Sequence, residues 1–156
     1  MTAKTLEAQR RLPYAPEALC AMVGDVRAYP DFIPWIEDLK VTGEKEHGGV
    51  REAVAHVRIG WKHIQERFST KVRCAPAAGE VDVSLVSGPF RTLRNEWRFS
   101  PDGAGGSNVR FRIAYDFKNP ILNALVKANR EKVVARIMAA FEAEAARRCG
   151  VAQPTV

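Results

Sequence analysis

The run from Asn119 to Gly150 constrains this chain more than any other, because it holds the only long helical pattern in the sequence. Asn119 suits a helix cap and Pro120 the first helical position, while Arg147, Arg148 and Gly150 form a C-terminal signature. A continuous helix of about 29 residues here would run roughly 43 Å. Helical spacing places Leu122, Val126, Val133, Ile137 and Phe141 on one stripe, flanked by Leu125, Val134 and Met138. So long a stripe needs an equally large apolar partner.

Asn129 and Arg130 interrupt that stripe, with Arg130 set between Val126, Val133, Val134 and Ile137. An unpaired buried guanidinium is costly. Arg130 must therefore find an acid, bend its head to water, or face a hydrated or ligand-filled space.

The partner is legible upstream. Lys4 to Leu12 alternates as a half-buried strand that Pro13 ends, and Pro16 opens a short helix carrying Leu19, Met22, Val23 and Val26. Tyr29-Pro30-Asp31-Phe32-Ile33-Pro34-Trp35 then holds large aromatics on a stiff turn, as a core plug or as one wall of a pocket. From Ile36 to Phe117 strand follows strand. Leu39 and Val41 mark one that is expected to end at Gly43, and Gly48-Gly49 is a turn. Ala53, Ala55, Val57 and Ile59 form one face of the next; Ile64, Phe68 and Val72 continue beyond a turn near Gly60; Val81, Val83 and Leu85 follow. Leu93 to Phe99 carries Trp97 inward, a Gly-rich loop spans Pro101 to Ser107, and Val109 to Phe117 alternates most strongly of all.

Short connections imply antiparallel neighbours. The expected fold is α+β: a curved antiparallel sheet of about seven strands around the long C-terminal helix, with one or two short helices after the first strand. The small Ala53 and Ala55 widen the space between sheet and helix, which Trp61, Trp97 and Phe111 either fill or leave open.

The chain has 156 residues, enough for one domain, read here as 1–150 with a short tail over 151–156. A net charge of +6 and a pI near 9.5 favour anionic partners such as RNA or an anionic membrane surface, yet the basic residues are scattered among acids. Cys20, Cys74 and Cys149 lie far apart in sequence and fit reduced thiols of a cytosolic protein rather than a disulfide frame or a zinc site. The N-terminus has no apolar signal core, and no stretch approaches a membrane span. The expected location is cytoplasmic, with membrane contact only peripheral.

The segment Tyr29 to Trp35, the turn Gly88-Pro89-Phe90 with Leu93 and Trp97 behind it, and Ala140-Phe141-Glu142 together resemble the coenzyme Q-binding branch of the START-like, polyketide cyclase-related superfamily. The resemblance runs from about Glu7 to Gly150, and it implies a helix-grip fold with a hydrophobic tunnel for ubiquinone or a related polyprenyl lipid. It implies lipid chaperones that need no cofactor and catalyse no reaction. A relative in the same branch is a ribosome-associated toxin that hinders subunit joining. By matching position, Tyr29, Pro30, Phe32, Pro34 and Trp35 would form the pocket edge. The segment between Gly60 and Ile64 departs from the family pattern in length.

The inward faces derived above would line the tunnel with Val57, Ile59, Phe68, Trp97, Leu122, Leu125, Val126 and Val133, and Asn129 or Arg130 would donate to a quinone carbonyl. Basic charge would bring such a carrier to an anionic inner membrane. Two other functions compete. Outward Arg94, Arg98, Arg110 and Arg112 suit phosphate contacts of a ribosome-binding inhibitor, although no RNA- or DNA-binding motif accompanies them. A cyclase or dehydratase would need a titratable group in the cavity; His47, His56 and His63 assemble no triad, and there is no metal, phosphate-loop or dinucleotide fingerprint.

Overall fold

A computed structural model describes residues 4–61 and 63–150. Its strands are β1 (Lys4–Leu12), β2 (Ile36–His47), β3 (Val50–Trp61), β4 (Ile64–Ala75), β5 (Glu80–Ser87), β6 (Phe90–Pro101) and β7 (Ser107–Phe117). They form one antiparallel sheet of seven strands in the order β1-β7-β6-β5-β4-β3-β2. Six hairpins cannot give that order alone: β1 and β2 follow one another in sequence but occupy opposite edges. The connection between them must cross a whole sheet face, and it carries α1 (Pro16–Gly24), a 3₁₀ turn (Val26–Ala28) and α2 (Tyr29–Phe32) across it. Leu19, Met22, Val23 and Val26 are buried there, as their spacing predicts.

The same face receives the C-terminal helices, α3 (Pro120–Ala128) and α4 (Arg130–Ala145), which end in a π-helical turn (Ala146–Gly150). The sheet thus grips the helical segment, as the alternating apolar faces require.

That segment is long but not continuous. Asn129 leaves the helical region at φ −118° and ψ 21°, and its backbone N–H reaches the carbonyls of Leu125 and Val126. Its side-chain amide also donates to the Leu125 carbonyl at 2.8 Å. The short polar side chain competes for the backbone and caps α3, dividing the helix expected from Asn119 to Gly150. At the front, Asn119 Oδ1 accepts from the Ile121 N–H at 2.9 Å, the cap expected of it.

Two strand expectations change. β2 does not stop at Gly43; it runs to His47 through an irregularity between Thr42 and Lys45, with Gly43 at φ 63° absorbing the bend. Nor does β3 stop at Gly60: it pairs with β4 in unbroken register from Arg51↔Cys74 to Trp61↔Ile64.

Cys20 and Cys74 are distant in sequence yet adjacent in the core, with the Cys74 thiol 3.7 Å from the Cys20 carbonyl; both are free. The tail over 151–156 lies outside the described residues.

Candidate functional site

Sheet and helices do not close on each other. Between them lies a cavity of about 280 Å³. Its floor comes from the inward residues of β3, β4, β6 and β7, including Ala55, Val57, Phe68, Trp97 and Phe111. Strand alternation alone fixes that these point inward. Val126, Val133, Ile137 and Phe141 form the roof, and Tyr29, Ile33 and Trp35 close one end. No Asp, Glu, Lys, Arg or His among the described residues lines it. A second space of about 230 Å³ adjoins it, sharing Trp35, Val126, Val133 and Ile137 and adding Trp61, Asn129, Lys132 and Arg136. An apolar chamber therefore meets solvent beside two tryptophans and two exposed cations.

The rigid turn serves both purposes left open by its sequence. Tyr29, Phe32 and Phe141 pack as a triad of edge-on rings with centroids 5.4 to 5.7 Å apart, so Phe32 is a plug against α4. Trp35 is a wall of both chambers. The Tyr29 hydroxyl donates to the Val23 carbonyl, tying the turn to α1, and burial pushes its phenol far above the ordinary range.

Of the expected ligand-contacting residues, Tyr29, Trp35, Val57, Ile59, Phe68, Trp97, Val126 and Val133 line the larger chamber. Asn129 lines the smaller one, its amide already bonded to Leu125. Phe32 and Pro34 face an outer groove instead. Pro30, Leu122 and Leu125 line neither chamber. Arg130 turns away from the cavity: it is exposed, and its guanidinium donates to the Thr5 carbonyl of β1 at 3.0 Å. That satisfies it as a snorkelling side chain, because the break at Asn129 rotates it off the roof.

Thr70, Asn95 and Tyr115, which the residue pattern does not single out as ligand contacts, also line the larger chamber. Thr70 shares parity with Phe68 and Val72, and Asn95 with Leu93 and Trp97; a polar residue at an inward position was the available signal.

The outer face of the sheet is laced with ion pairs. Arg98 meets Asp82 at 2.9 Å, Arg112 meets Glu7 at 3.1 Å and Arg94 meets Glu96 at 3.6 Å. Three of the four arginines read as phosphate contacts thus have acid partners. His56 lies on this face between the Thr42 and Ser69 hydroxyls at 2.9 and 2.8 Å, a cross-strand clasp with no acid to orient it. Among the described residues no group of His, Cys, Asp or Glu is placed to hold a metal ion, and no helix is long and apolar enough to cross a membrane.

This geometry has a counterpart among known proteins. A family model described as polyketide cyclase / dehydrase and lipid transport matches residues 12–142. The chain belongs to that family. The fold of the polyketide cyclase / dehydrase and lipid transport family is the START-like helix grip seen here. Within its range of relatives, the ribosome association toxin RatA of Pseudomonas aeruginosa is 31% identical over 113 residues, 72% of this chain and 75% of that protein. Coenzyme Q-binding protein COQ10 homolog B, mitochondrial, of Xenopus laevis is 28% identical over 142 residues, 89% of this chain and 57% of that longer protein. The solution structure of the 18 kDa protein CC1736 from Caulobacter crescentus matches with a TM-score of 0.78 at 38% identity, covering 92% of this chain and 97% of that one.

Proposed function

We propose that this protein is a carrier of ubiquinone or a related polyprenyl lipid, holding it between sheet and helices and presenting it for quinone synthesis and respiratory electron transport. The observation that carries the reading is the uncharged, aromatic-rich chamber opening beside Trp35 and Trp61. Apolar surface gains about 25 cal/mol for each Å² removed from water, so such a chamber retains an isoprenoid without catalytic chemistry. Its volume sits at the low end of ligand pockets, which run from about 300 Å³ upward, so it suits a head and the first part of a tail. The similarity to a coenzyme Q-binding protein supports the same ligand class.

Carriage rather than catalysis is favoured by the lining. Its titratable groups are the phenols of Tyr29 and Tyr115, both pushed up by burial and both poor proton acceptors at neutral pH. Lys132 and Arg136 at the rim suit transfer at the anionic surface of an inner membrane from the cytoplasmic side.

A second reading, ribosome association that hinders subunit joining, is favoured by the similarity to RatA. The paired charges on the outer face weigh against it.

The deciding experiment is organic extraction of protein purified from its native host, with mass spectrometry of the extract and sedimentation of a parallel sample with ribosomal subunits. A stoichiometric quinone or polyprenyl species is the expected result. An empty extract from folded protein that sediments with subunits would move the second reading to first place.

A further inference from the structure

The larger chamber contains a polar asymmetry. Six of its lining side chains carry a nitrogen or oxygen: Tyr29, Trp35, Thr70, Asn95, Trp97 and Tyr115. Three of them are committed to the protein. Tyr29 donates to the Val23 carbonyl, the Trp97 indole donates to Asn95 Oδ1 at 3.0 Å, and the Asn95 amide donates to the Arg112 carbonyl at 2.9 Å. Trp35 is half-buried and stands at the rim shared by the two chambers. Thr70 and Tyr115 differ. The residues are 4% and 5% exposed, neither hydroxyl makes a hydrogen bond among the described residues, and each hydroxyl oxygen keeps accessible surface in the chamber it lines.

Buried hydroxyls are normally satisfied, because leaving one against hydrocarbon forfeits its bonds to water. The other lining side chain with a polar atom that is equally buried, Trp97, has its indole satisfied by Asn95 Oδ1. Thr70 sits on β4 opposite Ala55 of β3, and Tyr115 sits on β7 opposite Lys4 of β1. Two hydroxyls without a protein partner thus open onto one apolar floor from β4 and β7. Burial pushes the Tyr115 phenol up, so it stays protonated and can donate.

We propose that the oxygen-bearing head of the ligand enters this chamber and is hydrogen-bonded by the Thr70 and Tyr115 hydroxyls, with the tail leaving past Trp35 and Val126. The inference rests on the lipid-carrier reading and adds the orientation and the head class. The head is an uncharged ring or chain end with acceptor oxygens, since no cation lines the chamber and Arg130, which acts on the Tyr115 phenol from outside the lining, is held by the Thr5 carbonyl. The opposite orientation, head at the rim, would leave both hydroxyls facing the hydrocarbon tail.

Thr70→Val and Tyr115→Phe remove the hydroxyls with little change of shape, and Thr70→Ser keeps one. Binding of two probes is measured by titration on each folded variant: a dimethoxy-methyl-benzoquinone with a decyl tail, and decylbenzene, which has the tail and a ring but no oxygen. Each hydroxyl deletion is expected to weaken the quinone about fivefold to tenfold and to leave decylbenzene unchanged, with Thr70→Ser restoring most of the loss. Unchanged quinone affinity in both deletions overturns the proposal while leaving the carrier reading intact, as does an equal loss for both probes. Wild-type protein that binds neither probe overturns the carrier reading itself. Should Thr70→Val fail to fold, Tyr115→Phe and Thr70→Ser against Thr70→Ala decide the matter in the same way.

Discussion

The rings of Phe32 and Phe141 meet edge-on, with centroids 5.4 Å apart and planes at 83°. One belongs to the turn after α1 and the other to α4, so this contact fastens the end wall of the cavity to its roof. Phe141 also tilts against Trp97 of the floor at 4.7 Å. Phe141→Ala should therefore cost about 3–5 kcal/mol, near the upper range for a buried aromatic, read as a lowered urea midpoint at unchanged slope. A loss under about 1 kcal/mol would show that the triad does not hold wall to roof.

Val126 lines both chambers and is only half-buried, so a longer side chain can be accommodated without unfolding the roof. Val126→Lys places a charge where no acid faces it. Lipid recovered by extraction should fall to background in a variant whose circular dichroism is unchanged. Undiminished lipid in that folded variant would contradict the placement of the ligand.

Glu144 is buried, and its carboxylate is gripped by Arg147 Nε and Nη2 at 2.9 and 2.8 Å and by Arg148 Nε at 2.6 Å. The hydrogen bonds from Arg147 come first among the causes that hold its carboxyl below the ordinary value of 4.5. A lowered folded pKa means the unfolded state binds the proton more readily. The contribution to stability is therefore full above about pH 4.5 and is lost as pH falls through the folded value. Glu144→Gln should cost about 1–3 kcal/mol at pH 7 and flatten the acid limb of the stability curve. Parallel wild-type and variant curves between pH 3 and 6 would refute this.

Gly79 turns the chain between β4 and β5 at φ 68°, and a Cβ built there would lie 2.2 Å from the Phe99 carbonyl oxygen. That backbone cannot retreat, because Phe99 N–H donates to the Gly79 carbonyl at 2.9 Å. Gly79→Ala combines a left-handed conformation with a main-chain clash and should cost more than about 2 kcal/mol in thermal or chemical unfolding. A neutral substitution would mean the turn can reshape.

Replacing Arg94, Arg98, Arg110 and Arg112 together by Ser removes exposed or half-exposed pairs worth about 0.2–1 kcal/mol each. Lipid content should be unchanged. Sedimentation with ribosomal subunits, if wild-type protein shows it, is the property that this variant would lose.

The sheet was legible in the sequence because strand alternation is local: residues from Val109 to Phe117 state their own faces, and Gly48-Gly49 states its own turn. The family was legible for the same reason, since Tyr29 to Trp35 is a contiguous segment. Gly43 misled because a left-handed glycine marks a bulge within a strand as readily as its end, and only pairing with β3 distinguishes the two.

Local pattern in the chain was enough to state which strand residues face inward, that a long C-terminal helical segment covers them, and that the interior is apolar. Tertiary structure decided how that interior is used. Asn129 caps one helix instead of continuing it because its side chain finds the Leu125 carbonyl, and Arg130 consequently reaches the Thr5 carbonyl of β1 rather than the cavity. Thr70, Asn95 and Tyr115 share inward parity, but only their neighbours distinguish them: Asn95 meets Trp97 and Arg112, while the two hydroxyls meet neither donor nor acceptor. Side-chain direction is set by backbone period, whereas hydrogen-bond satisfaction is set by which distant strands come together, and no local pattern encodes that.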